Sequence, residues 1–177
     1  MKKIFGLVAS LTIIAAVCAG VLAGVNELTK DPIAQMLVKK TEEAAKAVMP
    51  PAVETVEKAV SGDAECFVGK NAAGEVVGYA IKGADAGGYG GDVVLMVGFE
   101  ADKRTVVCYK TLAASETPGL GMKLNTPEFS GQFPGKDGAS LKVKKDGGEI
   151  DAITSATITS RAVCAAIGAA ANALAAF

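Results

Sequence analysis

An α+β domain behind one membrane-spanning helix is the architecture this sequence predicts, and three observations predict it. The first is an uncharged apolar run near the N-terminus, Ile4 to Val25. The second is a series of valine- and aromatic-rich segments separated by short polar turns. The third is a final alanine-rich segment with helical apolar spacing. A length of 177 residues accommodates one domain of ordinary size and an appendage. The expected division is a membrane anchor over residues 1–27 and one domain over residues 28–177.

At the helical rise, the 22 residues of the apolar run extend about 33 Å, enough for a hydrocarbon core. Lys2 and Lys3 precede it, and the positive-inside rule keeps that end in the cytoplasm. The domain is then expected on the extracytoplasmic side of the inner (cytoplasmic) membrane. A cleaved signal peptide is the competing reading, but the run exceeds the usual apolar stretch of about 7–15 residues. Ala16, Gly20 and Gly24 form a stripe of small residues suited to close approach of another membrane helix. The span holds no ionisable side chain, so by itself it offers no ion path.

Beyond the anchor, "DPIAQMLVKKTEEAAKAVMPP" predicts a helix opened at Asp31–Pro32 and closed by Pro50–Pro51, with Ile33, Met36, Leu37 and Val48 on one side. "ECFVG", "EVVGYAIKG", "DVVLMVGFE" and "TVVCYKTLA" follow as strands, joined by hairpin connections at "NAAGE" and "EADKR". Successive hairpins favour a mainly antiparallel sheet flanked by helices. Val163, Ile167, Ala170, Leu174 and Phe177 form the buried stripe of a C-terminal helix. Lys142, Lys144 and Lys145 are expected on a solvated strand face.

Composition removes several chemistries. Histidine is absent, which excludes Ser-His-Asp and Cys-His hydrolases and removes the commonest metal ligand. The four cysteines show no CxxC spacing, so no metal site is expected, although Cys66 and Cys108 could pair in an oxidising compartment. With 18 basic and 19 acidic residues, no nucleic-acid partner is expected.

Two glycine-rich stretches and one hydroxyl-rich stretch remain. "GADAGGYGGD" (83–92) is either a flexible connector or a ligand-lining loop whose Tyr89 packs on a flat ligand. "SETPGLGMK" (115–123) suits a tight turn whose glycines let the backbone approach a partner closely. In "DAITSATITS" (151–160), Thr154, Ser155 and Thr157 are each credible N-caps of the final helix. A helix N-terminus also seats phosphate, and the small Ser155 and Ala156 would let one sit near the backbone.

"DAITSATITS" resembles the Asp-x-x-(Ser/Thr)-(Gly/Ser)-Ala-Thr flavinylation signature of the FMN-binding domain family. Asp151, Thr154, Ser155, Ala156 and Thr157 occupy its positions. "SETPGLGMK" resembles the segment that helps form the flavin site in that family, while "GYGGDVVLMVGF" and "TKDPIAQ" resemble stretches of its RnfG branch. The resemblance covers essentially the whole chain. It implies FMN joined to Thr157 by a phosphoester, transferred from FAD by a Mg²⁺-dependent flavin transferase. It further implies that Glu116, Thr117, Gly119 and Leu120 line the flavin, with Lys123 offsetting charge on the reduced ring. By the same resemblance the chain is an electron relay among other membrane proteins of an Rnf-type complex, which couples ferredoxin and NAD to Na⁺ or H⁺ translocation. No catalytic residue of its own is implied. Family members often carry a histidine at the position of Ala114, a departure here. The alternatives are the FMN-carrying component of the sodium-pumping quinone reductase or of another extracytoplasmic electron-transfer chain, and a flavin-free anchored interaction domain.

Overall fold

Segments rich in valine and aromatics, separated by tight turns, pair in the order in which they occur. The computed structural model describes residues 2–61 and 64–177; Met1, at the head of the expected anchor, lies outside them. Strands β1 (Thr55–Ser61), β2 (Ala64–Lys70), β3 (Val76–Gly88), β4 (Gly91–Glu100) and β5 (Val106–Ala114) form one antiparallel meander. The helices are α1 (Lys2–Val48), the short α2 (Pro127–Ser130) and α3 (Thr157–Ala175). The architecture is α+β, as expected, and the chain divides into two compact units, Met1–Lys40 and Thr41–Phe177.

Within the first unit the apolar side chains from Leu7 to Val25 are exposed, including Leu11, Ile14, Val17 and Leu22. The helix is long and apolar enough to cross a membrane. The helix expected to open at Asp31–Pro32 is not a separate element, because α1 runs through that point with Pro32 inside it. Proline removes one hydrogen bond of the ladder, and α1 continues past the loss. Of the residues expected on one side of that helix, Ile33, Met36 and Leu37 are exposed, and Val48 is buried.

The second unit is three-layered. Ala44, Ala45 and Val48, with Met49, cover one face of the sheet over Phe67, Ala80 and Met96. The alanines and Gly98 bring this segment onto the backbone: a Cβ on Gly98 would lie 1.8 Å from the Val48 carbonyl oxygen. α3 covers the other face, where Val163, Ile167, Ala170 and Leu174 meet Ile81, Val93, Leu95, Val97 and Phe99. The expected stripe is buried, and Phe177 packs at its margin. Gly83 does for α3 what Gly98 does for α1, since its Cβ would stand 2.1 Å from the Ala166 carbonyl oxygen.

Four expectations change. β1 is an additional strand, not expected from the sequence because its alternation is weak: Glu57, Lys58 and Val60 are exposed on an edge strand. The glycine run 83–92 is no flexible connector but the end of β3, a tight turn at Tyr89–Gly90 and the start of β4, with Gly88 paired to Gly91. Lys144 and Lys145 lie in a 3-10 turn (Lys144–Asp146) closed by Gly147 at φ +81°, not on a strand. Cys66 and Cys108 are both free thiols on opposite faces of the sheet. Two intervening strands hold them roughly 14 Å apart, beyond the reach of a disulfide. Burial pushes the Cys66 thiol up to about 11.

Candidate functional site

Three segments distant in sequence converge at the N-terminus of α3. Glu116 joins them. Its Oε1 accepts hydrogen bonds from the backbone N–H of Tyr89 (2.8 Å) and Gly90 (3.4 Å), and its Oε2 accepts one from Thr159 Oγ1 (2.8 Å). Glu116 and Thr159 are both buried, so each polar group is satisfied by the other's segment. Glycines permit the approach: a Cβ on Gly121 would lie 2.3 Å from Glu116 Oε2, and one on Gly90 would lie 1.7 Å from the Ser115 carbonyl oxygen. Gly119, at φ +76°, turns the chain where a side chain would be strained. The N–H groups of Leu120 and Met122 both reach the Thr117 carbonyl, closing that turn.

The helix start is unusual. The N-cap position is Ala156, and no side chain caps the first turn. The N-cap role expected of Thr154, Ser155 or Thr157 is therefore unfilled; Thr157 is already the first helical residue. Ser155 sits at φ +62°, a conformation uncommon outside glycine and asparagine. What holds this turn is Ser160, whose Oγ accepts from Ile153 N–H (2.9 Å) and donates to the Ala156 carbonyl (2.9 Å). The first three N–H groups of α3, at Thr157, Ile158 and Thr159, have no intrahelical acceptor, as at any helix start.

A cavity of about 520 Å³ opens at this point, lined by Tyr89, Glu116, Thr117, Leu120 and the stretch Ser155–Thr159. That volume lies within the range of small-molecule sites. Of the sequence-predicted residues, Tyr89, Glu116, Thr117, Leu120, Ser155, Ala156 and Thr157 are brought together here, with Gly119 in the adjoining turn. Asp151, Thr154 and Lys123 are not: they line a neighbouring depression of about 470 Å³ with Phe129 and Gln132. The 3-10 turn Gly121–Asn125 carries Lys123 away from the cavity. Asp151 is held by Lys144 Nζ (2.7 Å) and by Gln132, which accepts from its N–H (2.7 Å).

Sequence reasoning missed Thr159, Ser160 and Lys145. The crowding of five hydroxyls in residues 151–160 was a signal for the first two, because one helix start needs only one cap. Lys145 Nζ lies 3.3 Å from Thr157 Oγ1. Its turn is docked on α3 by a bidentate pair, Arg161 Nε and Nη2 to Asp146 Oδ2 and Oδ1, both 2.7 Å. The Arg161 guanidinium holds the Asp146 carboxyl below its ordinary value. Among the described residues no cluster of His, Cys, Asp or Glu suits a metal ion.

Two family models match the chain: the FMN-binding domain over residues 88–172 and the RnfG N-terminal region over residues 2–46. Among curated relatives, the G component of the ion-translocating oxidoreductase complex of Methanosarcina acetivorans is 33% identical over 94% of this chain and 92% of its own. The G component of the Na⁺-translocating ferredoxin:NAD⁺ oxidoreductase complex of Acetobacterium woodii is 34% identical over 94% and 89%. Among solved structures, Shewanella oneidensis NqrC is similar at a TM-score of 0.52 with 21% identity, covering 76% of this chain and 73% of that one. The C component of the Na⁺-translocating NADH-quinone reductase of Parabacteroides distasonis gives 0.51 with 24% identity, covering 67% and 75%; both likenesses concern the fold alone. An uncapped helix start facing a small-molecule cavity lies inside the segment that the FMN-binding model matches, and the sequence identity spans most of the relatives' length. This chain therefore belongs to the RnfG family of ion-translocating oxidoreductase complexes and carries that family's FMN-binding domain.

Proposed function

We propose that this chain is a single-pass membrane protein that relays electrons through FMN esterified to Thr157. The observation that carries the reading is the uncapped start of α3: Thr157 presents its hydroxyl at a cavity of suitable size, beside N–H groups that no side chain occupies. Those groups and the helix dipole favour a phosphate at that place. FMN, when bound, supplies reversible electron acceptance; the chain's part is to seat it and set its surroundings. Tyr89, largely exposed at the rim, offers a flat face to a ring system, while Leu120 and Ile158 offer apolar edges. Glu116 acts mainly as the brace that holds Tyr89, the Thr117–Gly121 turn and α3 together.

Loading is a transfer from FAD by a separate Mg²⁺-dependent transferase. The bond between Thr157 Oγ and phosphorus forms, the pyrophosphate P–O bond breaks, AMP departs and the hydroxyl proton is released. Nothing in this step needs a histidine from this chain. The domain is assigned to the extracytoplasmic side, from Lys2 and Lys3 ahead of the span. Its partners are the other membrane proteins of an ion-translocating ferredoxin:NAD⁺ oxidoreductase of the kind its relatives' names describe.

Intact mass of the denatured protein after co-expression with a flavin transferase tests the reading. An FMN-sized increment confined to the peptide containing Thr157, and missing from Thr157→Ala, is expected. An unmodified chain beside a positive-control substrate of the same transferase would return the hydroxyls to a purely structural role.

A further inference from the structure

The three consecutive residues of the 3-10 turn Lys144–Asp146 reach three different points on the segment that follows. Lys144 meets the carboxylate of Asp151, Asp146 meets the guanidinium of Arg161, and Lys145 meets the hydroxyl of Thr157. The first two are charge pairs. The third is not: among the described residues no carboxylate oxygen lies within 4.0 Å of Lys145 Nζ, although its charge is felt by the neighbouring Asp146. The turn is fixed independently of Lys145. Lys144 N–H bonds the Ile150 carbonyl (2.8 Å), Ile150 N–H bonds the Lys142 carbonyl (3.1 Å), and Gly147 takes the left-handed conformation that closes the loop.

An ammonium carried on a braced turn to within hydrogen-bond distance of a neutral hydroxyl gains little from it in water. The same ammonium beside a phosphoryl group on that oxygen would form a charge-assisted hydrogen bond of the strong kind. We propose that Lys145 is the cation that holds the phosphoryl group on Thr157, a role resting on the reading of Thr157 as the attachment site. Lys145 neutralises the one negative charge of the phosphodiester from the solvent side, while the N–H groups of the α3 start meet it from the helix side. Lys123, expected to offset charge on the reduced ring, has a different place: it lines the neighbouring depression.

The test uses the full-length chain with purified flavin transferase, FAD and Mg²⁺, comparing wild type, Lys145→Met, Lys145→Arg and Thr157→Ala. Lys145→Met is expected to accept flavin about tenfold more slowly, the worth of one charge-assisted hydrogen bond, with Lys145→Arg within about threefold of wild type. Lys145 is exposed, so the unfolding midpoint should not move. In the loaded proteins the phosphorus-31 resonance of the ester should be displaced in Lys145→Met. Wild-type loading rate in Lys145→Met with an unmoved resonance would overturn the assignment and leave Thr157 standing. A slowed Lys145→Met with an unmoved resonance would overturn it too, and would assign the lysine to recognition by the transferase. A wild-type chain that stays unloaded, beside a control substrate that loads, would overturn the Thr157 reading itself.

Discussion

Two helices of this protein, α1 and α3, are both long and apolar enough to cross a membrane, yet they are put together on opposite plans. None of the apolar stretch of α1 is buried, whereas more than half of that of α3 is. Leu7, Leu11, Ile14, Val17, Val21 and Leu22 lie on one side of the span and Ala9, Ala16, Ala19, Gly20 and Ala23 on the other, so no side of it between Ile4 and Val25 carries a charge. α3 keeps Arg161 and Asn172 exposed and buries Val163, Ile167, Ala170 and Leu174 against the sheet. A helix that is apolar all round wants an apolar solvent, whereas one with an apolar stripe wants a partner. Hydropathy alone does not separate the two cases; the distribution of side chains around the axis does.

The sharpest way to break this contrast is one charge in each helix. Ile167→Asp buries an unpaired carboxylate against the sheet and should cost more than about 3 kcal/mol, enough to unfold most of the domain. Val17→Asp should leave the urea-unfolding midpoint of the domain unchanged while reducing recovery in the membrane fraction, since aspartate at a span centre costs about 2.5–3.5 kcal/mol on insertion. Equal loss of folding in both variants would contradict the division of roles. A smaller effect is expected at the start of α3. Glu116→Ala removes acceptors from Tyr89 N–H, Gly90 N–H and the buried Thr159 hydroxyl. It should lower stability by about 2–4 kcal/mol and speed amide exchange at Tyr89 and Gly90. Unchanged exchange there would refute the bracing role.

The smallest effect lies on the outer face of α3. Arg161 depresses the Asp146 carboxyl below its ordinary 3.8, with Lys142 and Lys145 adding in the same direction. A depressed folded-state value stabilises the pair fully above the unfolded value and loses that contribution as pH falls through the folded one. Amide protection in residues 144–148 should therefore be flat from neutral pH down to the carboxylate range and fall only in acid. Asp146→Asn should show the loosened state at every pH. Protection that instead changes near neutral pH would mean that another group holds the turn.

Much of the fold is legible in the sequence where side chains repeat against one surface. The four strands β2–β5 announce themselves as short runs of valine and aromatics, because the sheet is covered on both faces, and α3 through the stripe it buries on one of them. β1 does not, since an edge strand carrying Glu57 and Lys58 has little apolar alternation to show. The end of β3 hides for a different reason. Its glycines answer to contact with the α3 backbone and the Tyr89 turn, not to strand propensity. At the site, the signature points to Thr157, but the partners of Thr159 and Lys145 lie 43 and 12 residues away and no local pattern names them. The missing cap at Ala156 was also illegible, as three hydroxyls stood ready to fill it.

The Glu116 brace also bears on timing. It ties a turn 27 residues before it to a helix residue 43 after it, so its contacts are among those whose loop-closure entropy is met late in folding. A chain with the sheet half assembled, or with α3 undocked, has the threonine and the signature around it but not the cavity. An enzyme that required the cavity would thus ignore nascent and misfolded copies, and a flavin on Thr157 would be a lasting mark that the molecule carrying it had once reached its native state.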